Sequence, residues 1–369
     1  MPDYRGRGEG GLRVIPERRN RNFKLIVNRI ATNAISASLS YLMAAWPVMA
    51  QQPNVIIPDG RTQTQVQTAG AVTNITTATV SGGNGFNSFS RFGVGSGNTV
   101  NLQLPGGTQN LINLVHDAPA YVNGTLNAYK DGRIGGNVYF ADPYGFVVGR
   151  SGVVNVGSLT VSTPTREFVD SVISPSGQIN EGAVGKLLAG TVPIAPDGTI
   201  RIRGRVNAVD AVRLTGQNVF VGGGRDAVNR DHAIPFASTV NSRGLHSANG
   251  IVVRNGSIQI VANNRASVSS RLVARSRTNT GGDIVITAGK AIRIASTAKL
   301  KAASKRGNAG NIILRAGSDL TVKSGASFDA SSAVGNAGVV ELSSFGTFNV
   351  ASGFKVNLGA PNGQKGTLL

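Results

Sequence analysis

The residues of this sequence best suited to chemistry are clustered basic ones. Between Arg254 and Arg315 the chain carries twelve Lys or Arg residues and one acidic residue, Asp283. Alternation with apolar neighbours predicts outward-pointing side chains, and the cluster includes Arg293, Lys299, Lys301, Lys305 and Arg306. These residues predict an anion-binding strip for sulfated or acidic glycan, or for lipopolysaccharide phosphate. The alternative is a solvated basic face with no ligand.

The residues that catalysis or metal binding would need are not grouped in the same way. His116, His232 and His246 lack metal-ligand spacing, so loop or surface positions are expected for them. Asp283, Asp319, Asp329 and Glu341 do not recur at one spacing. We therefore predict no catalytic, metal or cofactor site, and a non-enzymatic protein. The alternative is a glycan-binding or polysaccharide-cleaving secreted protein.

The overall charge of the chain suggests polyanionic partners. The formal net charge is +19, aromatic residues make up 5% of the chain, and there is no cysteine. A strongly basic surface attracts anionic glycans, membranes or nucleic acid. Because aromatic residues are few and residues 1–50 have the composition of a targeting segment for export, no nucleic-acid partner is expected.

The elements that must position these residues form a repeat of 28 residues. Gly282, Gly310 and Gly338 each begin an alternating apolar segment, and six columns are apolar in all three units. The column positions start at residues 284, 286, 292, 294, 300 and 302. Alternation indicates half-buried strands, and a fixed repeat indicates stacked units. The pattern predicts an all-β, right-handed parallel β-helix with three strands per coil of about 28 residues. A β-sandwich is the alternative.

Residues 1–50 have the composition of a targeting segment. Eight Lys or Arg residues are followed by a moderately apolar stretch, from Ile30 to Trp46, that Pro47 ends. This pattern predicts a long signal peptide cleaved between Ala50 and Gln51. An uncleaved membrane anchor is the alternative, although the stretch contains several Ser, Thr and Asn residues.

A turn in the middle of the chain carries a family resemblance. Asp142-Pro143-Tyr144-Gly145 has the composition of a type I turn and is followed by Val154-Asn155-Val156-Gly157. The run from residue 110 to residue 165 resembles the two-partner secretion domain, or haemagglutination-activity domain, of filamentous-haemagglutinin-type exoproteins. The sequence departs from that family at Asp142 and Tyr144, where Asn is usual.

This resemblance implies a partner, a location and a division of the chain. The implied partner is an outer-membrane transporter, a β-barrel with POTRA domains, that would recognise the turn residues together with Asn155 and Gly157. The expected route is Sec export followed by secretion or display on the bacterial surface, with adhesion as the expected role. Residues 51–165 would form an N-terminal capping secretion domain, residues 166–205 an excursion, and residues 206–369 β-helical passenger coils. Because full-size family adhesins are longer, the sequence leaves open a truncated chain.

Overall fold

The computed structural model describes residues 52–222, 249–276 and 280–369. The predicted signal peptide, its cleavage pair Ala50 and Gln51, and His232 and His246 lie outside these residues. The described residues form 28 strands in one hydrogen-bonded sheet, and most strand pairs are parallel. The predicted all-β, parallel β-helical architecture is therefore confirmed.

The strands fall into two series separated by a short helical segment. The first series is β1 (Val55–Pro58), β2 (Thr64–Ala69), β3 (Val72–Thr77), β4 (Val80–Ser81), β5 (Asn84–Val94), β6 (Thr99–Gln103), β7 (Asn110–Val115), β8 (Ala120–Val122), β9 (Thr125–Lys130), β10 (Arg133–Ile134), β11 (Asn137–Ala141), β12 (Gly145–Val148) and β13 (Val153–Ser162). Two helices follow, α1 (Arg166–Val172) and α2 (Glu181–Ala189).

The second series continues the coils after the helices. It consists of β14 (Thr199–Ile202), β15 (Arg205–Val221), β16 (Gly250–Val253), β17 (Ser257–Val268), β18 (Arg271–Ala274), β19 (Ile284–Ala288), β20 (Ala291–Ile294), β21 (Lys299–Lys301), β22 (Ile312–Ala316), β23 (Asp319–Val322), β24 (Ser327–Asp329), β25 (Val339–Ser344), β26 (Phe348–Val350), β27 (Lys355–Asn357) and β28 (Thr367–Leu368).

The predicted 28-residue register is present in the last three coils. Ile284 pairs with Ile312, which pairs with Val340, and the other two strands of each coil keep the same step. The six columns are buried in the first two coils, whereas in the third coil Val340 and Leu342 are buried and Phe348 is 54% exposed. Burying each Ile or Leu contributes about 1.5–3 kcal/mol. The columns therefore hold neighbouring coils together.

A column of glycines lies at one corner of these coils. It contains Gly282, Gly310, Gly338 and Gly366. A Cβ added to Gly310 would lie 2.3 Å from the carbonyl oxygen of Gly282, and one added to Gly338 would lie 2.1 Å from that of Gly310. The backbones of successive coils approach so closely here that a side chain would separate them.

Ladders of asparagine amides run along the first series of strands, and one of them continues onto β15. The longest ladder comprises Asn74, Asn101, Asn127, Asn155 and Asn207. Each amide nitrogen donates to the amide oxygen of the asparagine before it in the ladder, over 2.9–3.1 Å. A second ladder joins Asn84, Asn110 and Asn137. These bonds fix the register of neighbouring coils, because a one-residue slip would break all of them.

The N-terminal coils contain antiparallel pairs and an aromatic core. β1 pairs antiparallel with β5, and β2 pairs antiparallel with β3. Phe89, Phe92, Phe140 and Phe146 pack in sequence with ring centroids 5.1–5.3 Å apart. These large side chains fill the interior at this end beside stacked aliphatic residues such as Val100, Leu126 and Val154.

The two helices cover one outer face of the first strand series. Their apolar residues, including Val169, Val172 and Leu187, pack on Phe86 and Ile112. Thr165 and Asn180 cap the helix N-termini through their side-chain oxygens. β14 then pairs with β12, which returns the chain to the coils. The predicted boundaries at residues 165 and 205 remain predictions.

Candidate transporter-recognition site

The turn predicted at residues 142–145 connects β11 to β12, and Asp142 organises it. This side chain is fully buried. One carboxylate oxygen accepts from the backbone N–H of Ala120 at 2.7 Å, and the other accepts from Tyr144 at 2.9 Å and Gly145 at 3.3 Å. The carboxylate thus closes its own turn and ties it to β8.

Burial leaves this carboxyl group in an unfavourable environment for charge. Burial raises the pKa of Asp142 to about 7, against the opposing effect of the three backbone N–H groups. Among the ion pairs of the described residues, none involves Asp142. The group therefore changes its protonation near neutral pH.

Gly145 and Tyr144 have different roles in the turn. Gly145 has φ +123°, and a Cβ there would lie 2.4 Å from the carbonyl oxygen of Thr199. A residue with a side chain would be strained in this conformation and would collide with β14. Tyr144 is 41% exposed, whereas its three neighbours in the turn are buried. Its hydroxyl oxygen accepts from the Arg166 guanidinium at 3.4 Å.

Asn155 and Gly157, predicted to adjoin the turn, lie on β13. Asn155 is a member of the longer asparagine ladder. Gly157 lies at a register shift between β13 and β15, and a Cβ there would lie 2.5 Å from the carbonyl oxygen of Gly136. The backbone bond that joins the turn to β13 is from Asp142 N–H to Ser162. These two residues therefore shape the coil, and Tyr144 supplies the exposed surface.

His116 lies in the loop after β7, within the expected loop or surface position, but its side chain is buried. Its exposure is 3%, and its Nδ1 lies 3.0 Å from a carboxylate oxygen of Asp170 on α1. Its Nε2 lies 3.1 Å from the Ser88 hydroxyl, and Arg61 pairs with Asp170 at 2.9 Å. Burial is the main cause that lowers the pKa of His116, and the positive charge of nearby Arg61 lowers it further. The negative charges of Asp59 and Asp170 oppose these two effects. Its partners are remote in sequence, so no local motif reveals this cluster.

The order of hydroxyl, imidazole and carboxylate in this cluster resembles a hydrolase triad, but the serine is not placed to react. Ser88 is fully buried, and its hydroxyl donates to Asp59 at 2.6 Å. A nucleophile needs a lone pair directed at a substrate carbonyl and room for that substrate. The cluster instead fastens α1 to the coils.

The residues of the predicted anion-binding strip lie on two strands and a loop. Arg293 is exposed on β20, whereas Lys299 and Lys301 are on β21. Lys301 forms an ion pair with Asp329, and Lys305 and Arg306 are exposed in the loop after β21. Lys299 pairs through Ser327 with Lys355, as the register predicts, which places the two lysines ~10 Å apart. The strip itself remains a prediction.

Two general features of the described residues bear on function. These residues contain no group of three or more His, Cys, Asp or Glu side chains that could hold a metal ion. No helix among them is long and apolar enough to cross a membrane.

Comparisons with known proteins identify the family. No curated protein matches the chain. The crystal structure of the HMW1 secretion domain from Haemophilus influenzae is similar to this chain at 14% identity, with a TM-score of 0.38, covering 87% of this chain and 100% of that one. The sequence model of the TPS secretion domain matches residues 54–314. That match includes the turn and most of the coils, so the chain belongs to the TPS secretion domain family.

Proposed function

We propose that the turn from Asp142 to Gly145 is the element by which an outer-membrane transporter recognises this two-partner-secreted exoprotein. The observation that carries the proposal is the family match, which includes the turn. A TPS secretion domain implies a cognate transporter in general; the proposal assigns the contact to particular residues. The exposed ring of Tyr144, beside Arg166, is the surface that the transporter would touch.

The proposal separates folding residues from a recognition residue. Asp142 and Gly145 set the backbone of the turn, and Asn155 and Gly157 set the coil beneath it. The Tyr144 side chain is exposed and accepts a hydrogen bond from Arg166 at the surface. Tyrosine supplies a large apolar ring with a polar end, which suits a protein interface.

An export assay tests this separation. The chain and its cognate transporter are produced together in a Gram-negative host, and the ratio of extracellular to periplasmic protein is measured. Tyr144→Ala should lower that ratio at least tenfold, while the purified variant keeps the parent's circular dichroism and urea midpoint. Tyr129→Ala, at a partly buried tyrosine on β9, is the matched control. Normal export of Tyr144→Ala would refute the assignment.

The rest of the proposal concerns the route and the role of the exported protein. The protein would cross the inner membrane by the Sec pathway, lose its signal peptide before Gln51, and act as a non-enzymatic adhesin outside the cell. The resemblance to filamentous-haemagglutinin-type exoproteins supports these steps. N-terminal sequencing of extracellular protein tests the cleavage, and an intact segment 1–50 in the membrane fraction would contradict it. Loss of adherence on deletion of the gene tests the role.

A further inference from the structure

A basic groove crosses the coils after the helical segment, on residues remote from the recognition turn. It has a volume of about 950 Å³ and is partly open to solvent. Four cations line it, in two groups: Arg201 with Arg203, and Arg293 with Lys323. These residues are exposed, and the two groups are about 90 residues apart in sequence. Stacking of the coils brings them together.

Strand pairing fixes the spacing of these cations. Arg201 pairs with Phe220, then Ser267, then Arg293, so three coil steps, or ~14 Å, separate the two arginines. Arg203 and Lys323 lie two residues further along the chain than Arg201 and Thr321. Backbone hydrogen bonds between successive coils align Arg203 with Gly222, Ser269, Ala295 and Lys323. Those four steps span ~19 Å. Apart from Phe220, the residues between the cations are small, namely Gly222, Ser267, Ser269 and Ala295.

The charge of the groove is not neutralised by the protein. Within the ranges that the structure describes, none of the four cations forms an ion pair, and the lining contains no Asp or Glu. The Arg201 guanidinium lies over the Phe220 ring, 4.6 Å from its centroid. This cation–π contact holds the guanidinium at the mouth of the groove, which reduces the entropy lost on binding.

We propose that this groove binds a linear acidic polysaccharide bearing sulfate or carboxylate groups. Two cationic groups ~14–19 Å apart match a chain with repeated anionic substituents better than one small anion. Guanidinium groups bind sulfate and carboxylate oxygens through paired hydrogen bonds. Ser267, between Arg201 and Arg293, and Thr321 and Asn349, which follow Arg293 in the next two coils, offer hydroxyl and amide partners for sugar hydroxyl groups.

The groove is distinct from the strip predicted on β21 and its loop. Lys301 of that strip is paired with Asp329, whereas the groove cations have no carboxylate beside them. Arg293 belongs to both sites, whereas the other residues of the strip lie on β21 and in the loop after it and do not line the groove. Binding by purified protein does not depend on transporter recognition, so the proposal can fail or succeed independently of the export assay.

Binding of a heparin oligosaccharide to the full chain tests the proposal by calorimetry. The groove variant replaces Arg201, Arg203, Arg293 and Lys323 with Gln. A control variant of equal charge replaces Lys299, Lys305, Arg306 and Lys355 with Gln. Polygalacturonate fragments distinguish carboxylate from sulfate recognition, neutral dextran fragments serve as the uncharged probe, and a single-stranded DNA oligonucleotide tests general polyanion binding. All variants must keep the parent's circular dichroism.

The expected result is a loss of heparin affinity of at least tenfold in the groove variant and less than threefold in the control variant. Equal losses in the two variants, or tighter binding of DNA than of either glycan, would overturn the proposal. In a third variant a Gly-Ser linker replaces residues 225–247, which follow the groove residue Gly222 in sequence. Retained affinity supports the groove, and lost affinity would assign the binding to that segment instead.

Discussion

The buried Asp142 carboxyl predicts a specific pH dependence of folding. Burial raises its pKa to about 7 in the folded chain, from an ordinary value of 3.8. At pH values between these two pKa values, Asp142 is protonated in the folded state and ionised in the unfolded state. The group therefore favours folding below about pH 4, and this contribution is lost as the pH rises to about 7. The full loss is about 4 kcal/mol, at about 1.4 kcal/mol for each unit of pKa.

The perturbation is Asp142→Asn, with urea unfolding followed by circular dichroism at several pH values. An asparagine has one acceptor oxygen where the carboxylate has two, so it cannot keep all three backbone hydrogen bonds. This costs about 1–3 kcal/mol at every pH. The pH-dependent part of the difference in unfolding free energy adds to this constant cost. From pH 5 to pH 8 the stability of the wild type should fall by about 2–3 kcal/mol relative to the variant.

The comparison between variants is needed because other groups titrate with the opposite sign. The lowered pKa of His116 stabilises the fold as the pH rises, and this effect cancels when wild type and variant are subtracted. Asp117→Asn, at an exposed position, is the matched control for loss of one carboxylate. A difference between wild type and Asp142→Asn that stays constant within about 0.5 kcal/mol from pH 5 to pH 8 would refute the reasoning.

Three further predictions concern the ladder, the glycine column and the histidine cluster. Asn127→Ala removes two ladder hydrogen bonds at a buried position and should lower the free energy of unfolding by about 1–3 kcal/mol; an unchanged urea midpoint would contradict this. Gly310→Ala should reduce the yield of folded protein, measured by protease resistance, whereas Gly106→Ala, with no atom near the added Cβ, should not; equal yields would show that the close approach is not required. Acidification from pH 7 to pH 5 should lower the protection factors of the α1 amides, taken relative to the intrinsic exchange rate at each pH, because unfolding lets His116 take up a proton, and His116→Gln should abolish that loss of protection; a variant with the same loss would refute the assignment.

Much of the coil architecture follows from sequence periodicity. The apolar columns beginning at Ile284 and Ile292 could be predicted because a parallel β-helix stacks equivalent residues at a constant step. The same reasoning could have found the asparagine ladder, whose members Asn74, Asn101 and Asn127 are 27 and 26 residues apart. The asparagines form a polar column, so the periodicity of apolar residues does not reveal them.

Other parts of the sites could not be predicted, for identifiable physical reasons. The sequence indicates a turn at Asp142, but the buried bond to Ala120 depends on how coils stack. The His116 cluster joins elements up to 112 residues apart, including the Arg61 bond to Ile173. The basic groove depends on pairings that follow no fixed period, because the steps from Arg201 to Phe220, Ser267 and Arg293 are 19, 47 and 26 residues long.

The glycine column has a consequence for how such a chain can change in length over evolution. Because Gly282, Gly310 and Gly338 meet at one corner, a coil can be duplicated or deleted as a whole unit and the backbones still fit. An insertion of one residue within a coil would place a side chain at that corner and turn the apolar column outward. Relatives of this chain should therefore differ in length by whole coils, or by loops that leave the corner unchanged.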